Sequence, residues 1–395
     1  MIRVGFINIF AVGSWLGGLN YLRNLLRAVC SLEGRRIEPV LITGYRTSEK
    51  IAREFSFLKI EHTSALDRGR PLWLLRKLLA RTSGSDPLLG NILSKFGVEV
   101  LSHSGDLGRH SQTPSLAWIP DLQHRHLTHL FSKEEIALRE QNIARALDAS
   151  SRVIVSSETA ATHLRAGSPR HNDKIRVLRF VSGLLHGQAM PASDELQACY
   201  GIESRYLFLP NQFWTHKNHD IVVDAIMKLK QDGQLVTVLA TGLMRDPRQP
   251  SHVGELMRKV EQNGLHDLFR PLGVVPYSDM LGLMRDAVAV INPSFFEGWS
   301  TSVEEAKSMG KAVLLSDIPV HKEQAPDRGT YFDPKDSGSV AEAMLKAWVT
   351  FDREADEAAM LEAAGKLPGR LRSFAENYQS LVLEVLGETV LGETL

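Results

Sequence analysis

The sequence predicts an α/β protein built from two doubly wound domains, each a parallel sheet covered by helices. Three observations predict it. The chain has 395 residues, more than one hydrophobic core usually supports. Short continuous apolar runs alternate with segments of helical spacing, as strands buried on both faces require. The alternation lapses in a loop-rich segment at 183–200, containing LLHGQAMPASDE, and then restarts.

In the first series IRVGFINI (2–9) reads as a buried strand and LNYLRNLLRAVCSL (19–32) as a helix. EPVLITG (38–44), GVEVLSH (97–103), SLAWIPD (115–121) and RVIVSS (152–157) are further strands, with EEIALREQNIARALDAS as a helix among them. The second series opens with the strand RYLFLPN (205–211) and the helix DIVVDAIMKLKQDG (220–233). The strands LVTVLATG (235–242), AVAVINPS (287–294) and KAVLLSD (311–317) follow, and a helical pattern, RSFAENYQSLVLEVLG (372–387), lies near the end. These patterns divide the chain into a domain at 1–190, a domain at 191–372 and a terminal helix in 373–395.

Composition is that of an ordinary soluble globular protein, 43% hydrophobic and 23% charged. Two cysteines are too few for a disulfide framework or a cysteine metal site, and a reducing compartment fits best. The opening MIRVGFINIFAVGSWLGGL is not expected to be a leader peptide, because Asn8 interrupts it and no small-residue cleavage site follows. No apolar run reaches membrane-spanning length. The zero net charge hides an asymmetry: residues 1–200 hold 26 Lys and Arg against 18 Asp and Glu, and residues 201–395 hold 20 against 28. Either the halves attract each other, or the basic half meets an anionic partner.

Ligands of doubly wound sheets bind beyond the carboxyl ends of the strands. Three loops there could bear chemistry. GSWLGGLN (13–20) opens a helix with Gly17 and Gly18, which allow close backbone approach, but it lacks the G-x-G-x-x-G fingerprint and suits a plain tight turn equally well. NQFWTHKNHD (211–220) sets Lys217 beside a helix start; it could neutralise phosphate, but the loop alone favours a solvated lysine with Asn218 capping the helix. FFEGWSTSVEEA (295–306) is the richest. Ser302 and Glu305 match the capping box S-x-x-E, with Gly310 placed to end the helix. Glu297 has no such structural explanation. An anion on the amides between the two glutamates would be flanked by carboxylates that accept hydroxyl protons.

PSFFEGWSTSVEEAKSMGKAVLLSD resembles the E-x7-E signature of retaining, GT-B-type glycosyltransferases of the group often called family four. The resemblance extends over most of the chain through GSWLGG, LPNQFWTHKNHDIVVDAI, RPLGVVPYSDMLGLMRDAVAVINPS and SDIPVHKEQ. It implies a GT-B fold, with two Rossmann-like domains facing across a cleft: an acceptor-binding domain first, a nucleotide-sugar domain second, and a last helix crossing back to the first. It implies a catalytic set of Glu297 on the donor sugar, Lys217 on phosphate and Asp121 near the reacting sugar. Glu305 would take the ribose. Gly298, Trp299, Ser300, Thr301 and Ser302 would hold the diphosphate, Gly273 and Val275 would lie by the nucleobase, and Gly17 and Gly18 would face the diphosphate. Gln212 stands where such enzymes usually have an arginine, and Pro120 where many have a histidine, so His124 and His126 are read as acceptor or sugar contacts.

The resemblance further implies a GDP- or UDP-sugar donor, a glycan or lipid-linked acceptor, and a place in bacterial surface polysaccharide or lipopolysaccharide synthesis on the cytoplasmic side. An epimerase or hydrolase of the same fold and a degenerate binding scaffold are the rival readings. No metal and no nucleic-acid partner are expected. The D-x-D motif is absent, and His103, His110, His124, His126 and His129 lack accompanying cysteines or an H-E-x-x-H motif. The basic amphipathic stretch DRGRPLWLLRKLLAR (67–81) fits peripheral contact with a membrane, although burial of its apolar face against the sheet is favoured.

Overall fold

The computed structural model describes residues 1–7, 16–47, 49–103, 107–108, 111–184, 189–203 and 205–387. It divides into two compact units: Met1–Leu122, Ser132–Val181 and Gly369–Leu395 form one, Gln123–Phe131 and Ser182–Pro368 the other.

The first unit holds a seven-stranded parallel sheet of β1 (Ile2–Ile7), β2 (Ile37–Thr43), β3 (Lys59–His62), β4 (Val100–Ser102), β5 (Ser115–Trp118), β6 (Arg152–Val155) and β7 (Ile175–Val177), in the order β3-β2-β1-β4-β5-β6-β7. The central strand IRVGFI is almost wholly buried because helices cover both faces. The end of the long helix Arg353–Val385 packs in this unit. Tyr378 is fully buried and donates to Ser102 Oγ at 2.8 Å. Glu384 receives Arg152 at 2.7 Å and Arg176 at 2.6 Å.

The second unit holds a six-stranded parallel sheet of β8 (Leu207–Leu209), β9 (Val238–Thr241), β10 (Phe269–Gly273), β11 (Val290–Asn292), β12 (Val313–Ser316) and β13 (Gly329–Phe332), in the order β10-β9-β8-β11-β12-β13. Both sheets therefore reverse strand order beside a central strand, so β8 and β11 end next to each other. Gly242, just past β9, sits at φ 144°, and a Cβ there would lie 2.4 Å from the Asn211 carbonyl. Only glycine lets the loop after β8 pass this close.

One helix departs from expectation. Pro71–Ser83 turns Arg76 inward, where it pairs with Asp86 at 2.6 Å, and leaves Leu74, Leu75 and Leu78 between 47% and 59% exposed. The inward side holds Arg76 together with the half-buried Leu72, Trp73, Leu79 and Ala80, and these three further leucines fall outside it.

Candidate functional site

The residues singled out in the second half assemble at the carboxyl ends of β8 and β11. After β8 the chain makes a single 3-10 turn, Thr215–Lys217, and enters the helix His219–Gln231. After β11 it runs through Phe295 and Glu297 into the helix Thr301–Met309. Two clasps join the loops. The Phe295 amide donates to the His216 carbonyl at 2.9 Å, and Asn218 Nδ2 donates to the carbonyls of Pro293 and Pro334 at 3.1 and 2.9 Å. Asn218 thus bridges loops from a left-handed backbone position instead of capping its helix with its side chain.

Lys217 is correspondingly not solvated. Its Nζ lies 2.6 Å from Glu297 Oε1, and the side chains are 13% and 9% exposed. Glu297 Oε1 also accepts from Ser294 Oγ at 2.8 Å. Burial alone would raise the Glu297 carboxyl, but Lys217, His321 and His216 outweigh it and hold it down at about 2. Burial does the opposite to the two histidines, lowering His216 to about 3 and His321 to about 4. His321 Nδ1 faces the Ser316 carbonyl at 3.0 Å, so that nitrogen bears the proton and Nε2 is left as a buried acceptor without a partner. Lys217 is therefore the cation and Glu297 the anion beside two neutral imidazoles.

Asn292 and Ser294, which the sequence reading passed over, organise this centre. Asn292 is fully buried at the end of β11 and donates to Ser300 Oγ at 2.8 Å, with Ser302 Oγ and Glu297 Oε1 each at 3.4 Å. Its Oδ1 accepts from the Ser294 amide at 3.2 Å. From the end of the short helix Pro319–Gln324 that follows β12, Gln324 grips Ser300 on both sides, accepting its amide at 3.1 Å and donating to its carbonyl at 3.0 Å.

The expected capping box does not form. Ser300 holds the N-cap position and Ser302 lies inside the first turn, its hydroxyl engaged with Asn292, Ser300 and Asn211. Neither Ser300 nor Ser302 caps the helix, because the Asn292 network takes their hydroxyls. The first-turn amides of Thr301 and Ser302 thus have no intrahelical acceptor. Glu305, 4% exposed, accepts from Tyr277 Oη at 2.9 Å, which ties the helix to the segment after β10. Gly310 does end the helix, at φ 79°, and a Cβ would meet the Ala359 carbonyl at 2.5 Å.

The remaining residues divide. Gly273 ends β10 at φ 69°, and Val275 packs against the core just beyond it. Gln212 Oε1 accepts the Leu243 amide at 2.7 Å. The segment Gln123–Phe131 groups with the second unit, where His126 stacks on Phe296 with centroids 5.0 Å apart. His124 is 1% exposed and packs edge-on against Phe131. Arg248 lies over the Phe131 ring at 4.3 Å, and its amide donates to Asp246 Oδ1 at 2.9 Å. The other Asp246 oxygen accepts both the amide and the hydroxyl of Thr215 at 2.8 Å, which joins the Arg248 loop to the turn bearing Lys217.

In the first unit Gly17 and Gly18 occupy the first turn of the helix Leu16–Cys30, and the preceding residues 13–15 lie outside the described residues. Asp121 faces Arg139 at 3.5 Å. Among the described residues the histidine cluster does not converge on a metal site. His103 is a core residue between Tyr21 Oη and Ser102 Oγ, both at 2.8 Å, and His110 lies outside the described residues. Among the described residues no group of three or more His, Cys, Asp or Glu is placed to hold a metal ion, and no helix is long and apolar enough to cross a membrane.

The architecture matches solved structures along nearly its whole length. A glycosyltransferase from Rickettsia africae superposes with a TM-score of 0.67 at 14% identity, covering 98% of this chain and 99% of that one. HepE of Anabaena, solved with UDP and glucose, superposes with a TM-score of 0.68 at 14% identity, covering 98% and 100%. The fold is thus the GT-B fold of glycosyltransferases. Residues 204–349, which include Lys217, Glu297 and Glu305, match the family model for group 1 glycosyl transferases. The O-antigen chain mannosyltransferase B of Escherichia coli is 32% identical over 92 residues, which span 23% of this chain and 24% of that protein.

Proposed function

We propose that this protein is a retaining glycosyltransferase. It moves a sugar from a GDP- or UDP-sugar to a hydroxyl of a glycan or lipid-linked acceptor, without a metal ion, on the cytoplasmic side during surface polysaccharide or lipopolysaccharide synthesis. The buried Lys217–Glu297 pair, set beside the start of the helix Thr301–Met309, is the observation that supports it most directly. A structural ion pair needs no neighbouring row of helix amides, whereas a diphosphate sugar uses both.

In this reading the diphosphate takes the charge of Lys217 and the amides of Thr301 and Ser302, with Gly298 and Trp299 as the approach and Ser300 fixed by Gln324. Lys217 then turns partly from Glu297 to phosphate, and Glu297 accepts the sugar hydroxyls. Glu305, oriented by Tyr277, accepts from the ribose, and the base lies along Gly273 and Val275. Negative charge grows on the leaving diphosphate as the glycosidic bond breaks, and groups already oriented stabilise it at little reorganisation cost. The acceptor hydroxyl proton passes to the departing phosphate oxygen on the same face, so no separate base is needed. Because Gln212 provides no charge, Arg248 is assigned the second positive charge toward phosphate. His126 is assigned to the sugar or acceptor, and Gly17, Gly18 and Asp121 keep the roles that the resemblance implies.

The test is a thermal-shift panel of UDP, GDP, ADP and their common sugar conjugates on the wild type and Glu305→Ala, followed by product analysis with and without acceptor. One nucleotide should stabilise the wild type and lose most of its effect in the variant. The product should keep the donor's anomeric configuration. Donor turnover to an epimer or free sugar without acceptor would favour an epimerase or hydrolase, and no stabilisation by any nucleotide would favour a non-catalytic scaffold.

A further inference from the structure

We propose that the helix Pro71–Ser83 and the adjoining loop at 44–46 form a docking surface for an anionic lipid bilayer. The inference is independent of the glycosyl-transfer chemistry.

The helix shows two chemically different sides. Its inward side carries Arg76, bonded to Asp86 at 2.6 Å and to the Ala65 carbonyl at 3.0 Å, among the half-buried Leu72, Trp73, Leu79 and Ala80. With 3.6 residues per turn, Arg70, Leu74, Lys77, Leu78 and Arg81 fall together on the opposite side, with Leu75 at its margin. Leu74, Leu75 and Leu78 are 54%, 47% and 59% exposed, and Arg70, Lys77 and Arg81 are exposed beside them. A helix that serves only to cover a sheet has one apolar face, whereas this one has a second set of leucines outside it.

The charge of the patch is of one sign. Residues 68–83 contain no carboxylate. The acids at either end are both buried and engaged: Asp86 holds Arg76, and Asp67 accepts the amides of Tyr45 and Arg46 at 3.2 and 2.9 Å. That second contact places Tyr45, 70% exposed, and the exposed Arg46 beside the start of the helix, near Arg68 and Arg70. Gly44 permits the approach, since a Cβ there would lie 2.3 Å from the Asp67 carboxylate. An aromatic ring with a polar tip, outward leucines and long cationic side chains suit the boundary between lipid headgroups and acyl chains, and Glu49, the exposed acid just beyond the loop, is paired with Arg53 at 2.9 Å. A second copy of this chain would present the same basic charge to itself, which argues against self-association through this face.

The experiment is co-sedimentation of the full chain with vesicles of phosphatidylcholine alone, or mixed with phosphatidylglycerol, at low and high salt. The wild type should pellet with the anionic vesicles and be released by salt. Lys77→Ala/Arg81→Ala should lower partitioning roughly fivefold per charge removed. Leu74→Ser/Leu78→Ser should lower it at both salt concentrations. All four side chains are exposed, so both variants should keep the wild-type melting temperature, and lost binding would not reflect unfolding. Absence of binding to anionic vesicles would overturn the proposal. So would binding that both variants retain, or a dimer in sedimentation velocity that Leu74→Ser/Leu78→Ser dissociates.

Discussion

Lys217 and Glu297 stand 80 positions apart in the chain and meet at 2.6 Å, because the strands that deliver them are neighbours in the sheet. The pair is buried, so its members depend on each other. Lys217→Ala leaves a carboxylate without its cation and should destabilise the fold by about 3–5 kcal/mol, with the Glu297 carboxyl rising from its depressed value. Lys217→Met with Glu297→Gln removes both charges and should recover most of that stability while remaining inactive. Urea denaturation of the wild type and both variants decides it. A single variant as stable as wild type would mean that the pair is not buried in solution.

Acid should weaken the protein earlier than its carboxylates would. His216 and His219 are lowered to about 3 and His321 to about 4, in each case chiefly by burial. Unfolding returns them to about 6.5. Between those values the unfolded chain binds protons that the folded one refuses, so stability falls as pH drops through about 6.5 and onward to the folded values. Each histidine contributes up to about 1.4 kcal/mol per pH unit. Glu297, held at about 2, adds a loss that begins only near its unfolded value of about 4.5 and runs down toward about 2. Melting temperatures should therefore be level above about pH 7 and already declining toward pH 5. His219→Phe, against the stacked Phe213 ring, should make the decline shallower. A level profile down to about pH 5 would contradict the assignment of three neutral histidines.

Tyr277 and Glu305 give a graded test of the proposed ribose contact. Tyr277→Phe removes the 2.9 Å hydrogen bond that orients the carboxylate but leaves the carboxylate in place. The dissociation constant for UDP or GDP should rise about tenfold, as expected for a bond to a charged acceptor, and Glu305→Ala should raise it further. Calorimetric titration reads both. Equal affinities in wild type and Tyr277→Phe would detach Tyr277 from the binding site.

The strands that sequence reading finds and misses follow one physical pattern. The interior strands are read, because burial on both faces makes them continuous apolar runs. The four it misses, β3, β7, β10 and β13, are the edge strands. KIEH, IRV, FRPLG and GTYF face solvent along one side and so lack the apolar run. The site divides similarly. Glu297, Lys217 and Glu305 announce themselves as charges at helix starts. Asn292 and Ser294 do not, since their role comes from β8, β11 and β12 ending side by side, which no local spacing records. Ser302 misleads for the same reason: S-x-x-E suggests a cap, but Asn292 at the end of β11 takes the hydroxyl.

Arg248 is the last such residue and leads to the sharpest prediction. It lies in the loop after β9, a strand away from Lys217 in the sheet order, and Asp246 fixes that loop to Thr215 by hydrogen bonds of 2.8 Å. Its charge helps to lower His216, the neighbour of Lys217, although burial is the larger cause. A cation placed for phosphate should matter in proportion to the phosphate charge on the ligand. Arg248→Gln should weaken binding of a nucleoside diphosphate about tenfold and of the matching monophosphate much less, and should reduce the salt dependence of diphosphate binding. Arg248→Lys should restore part of the affinity, since a point charge survives while the guanidinium fork over Phe131 does not. Equal losses for the two nucleotides would make Arg248 a packing residue on the Phe131 ring and leave Lys217 as the single cation for the diphosphate.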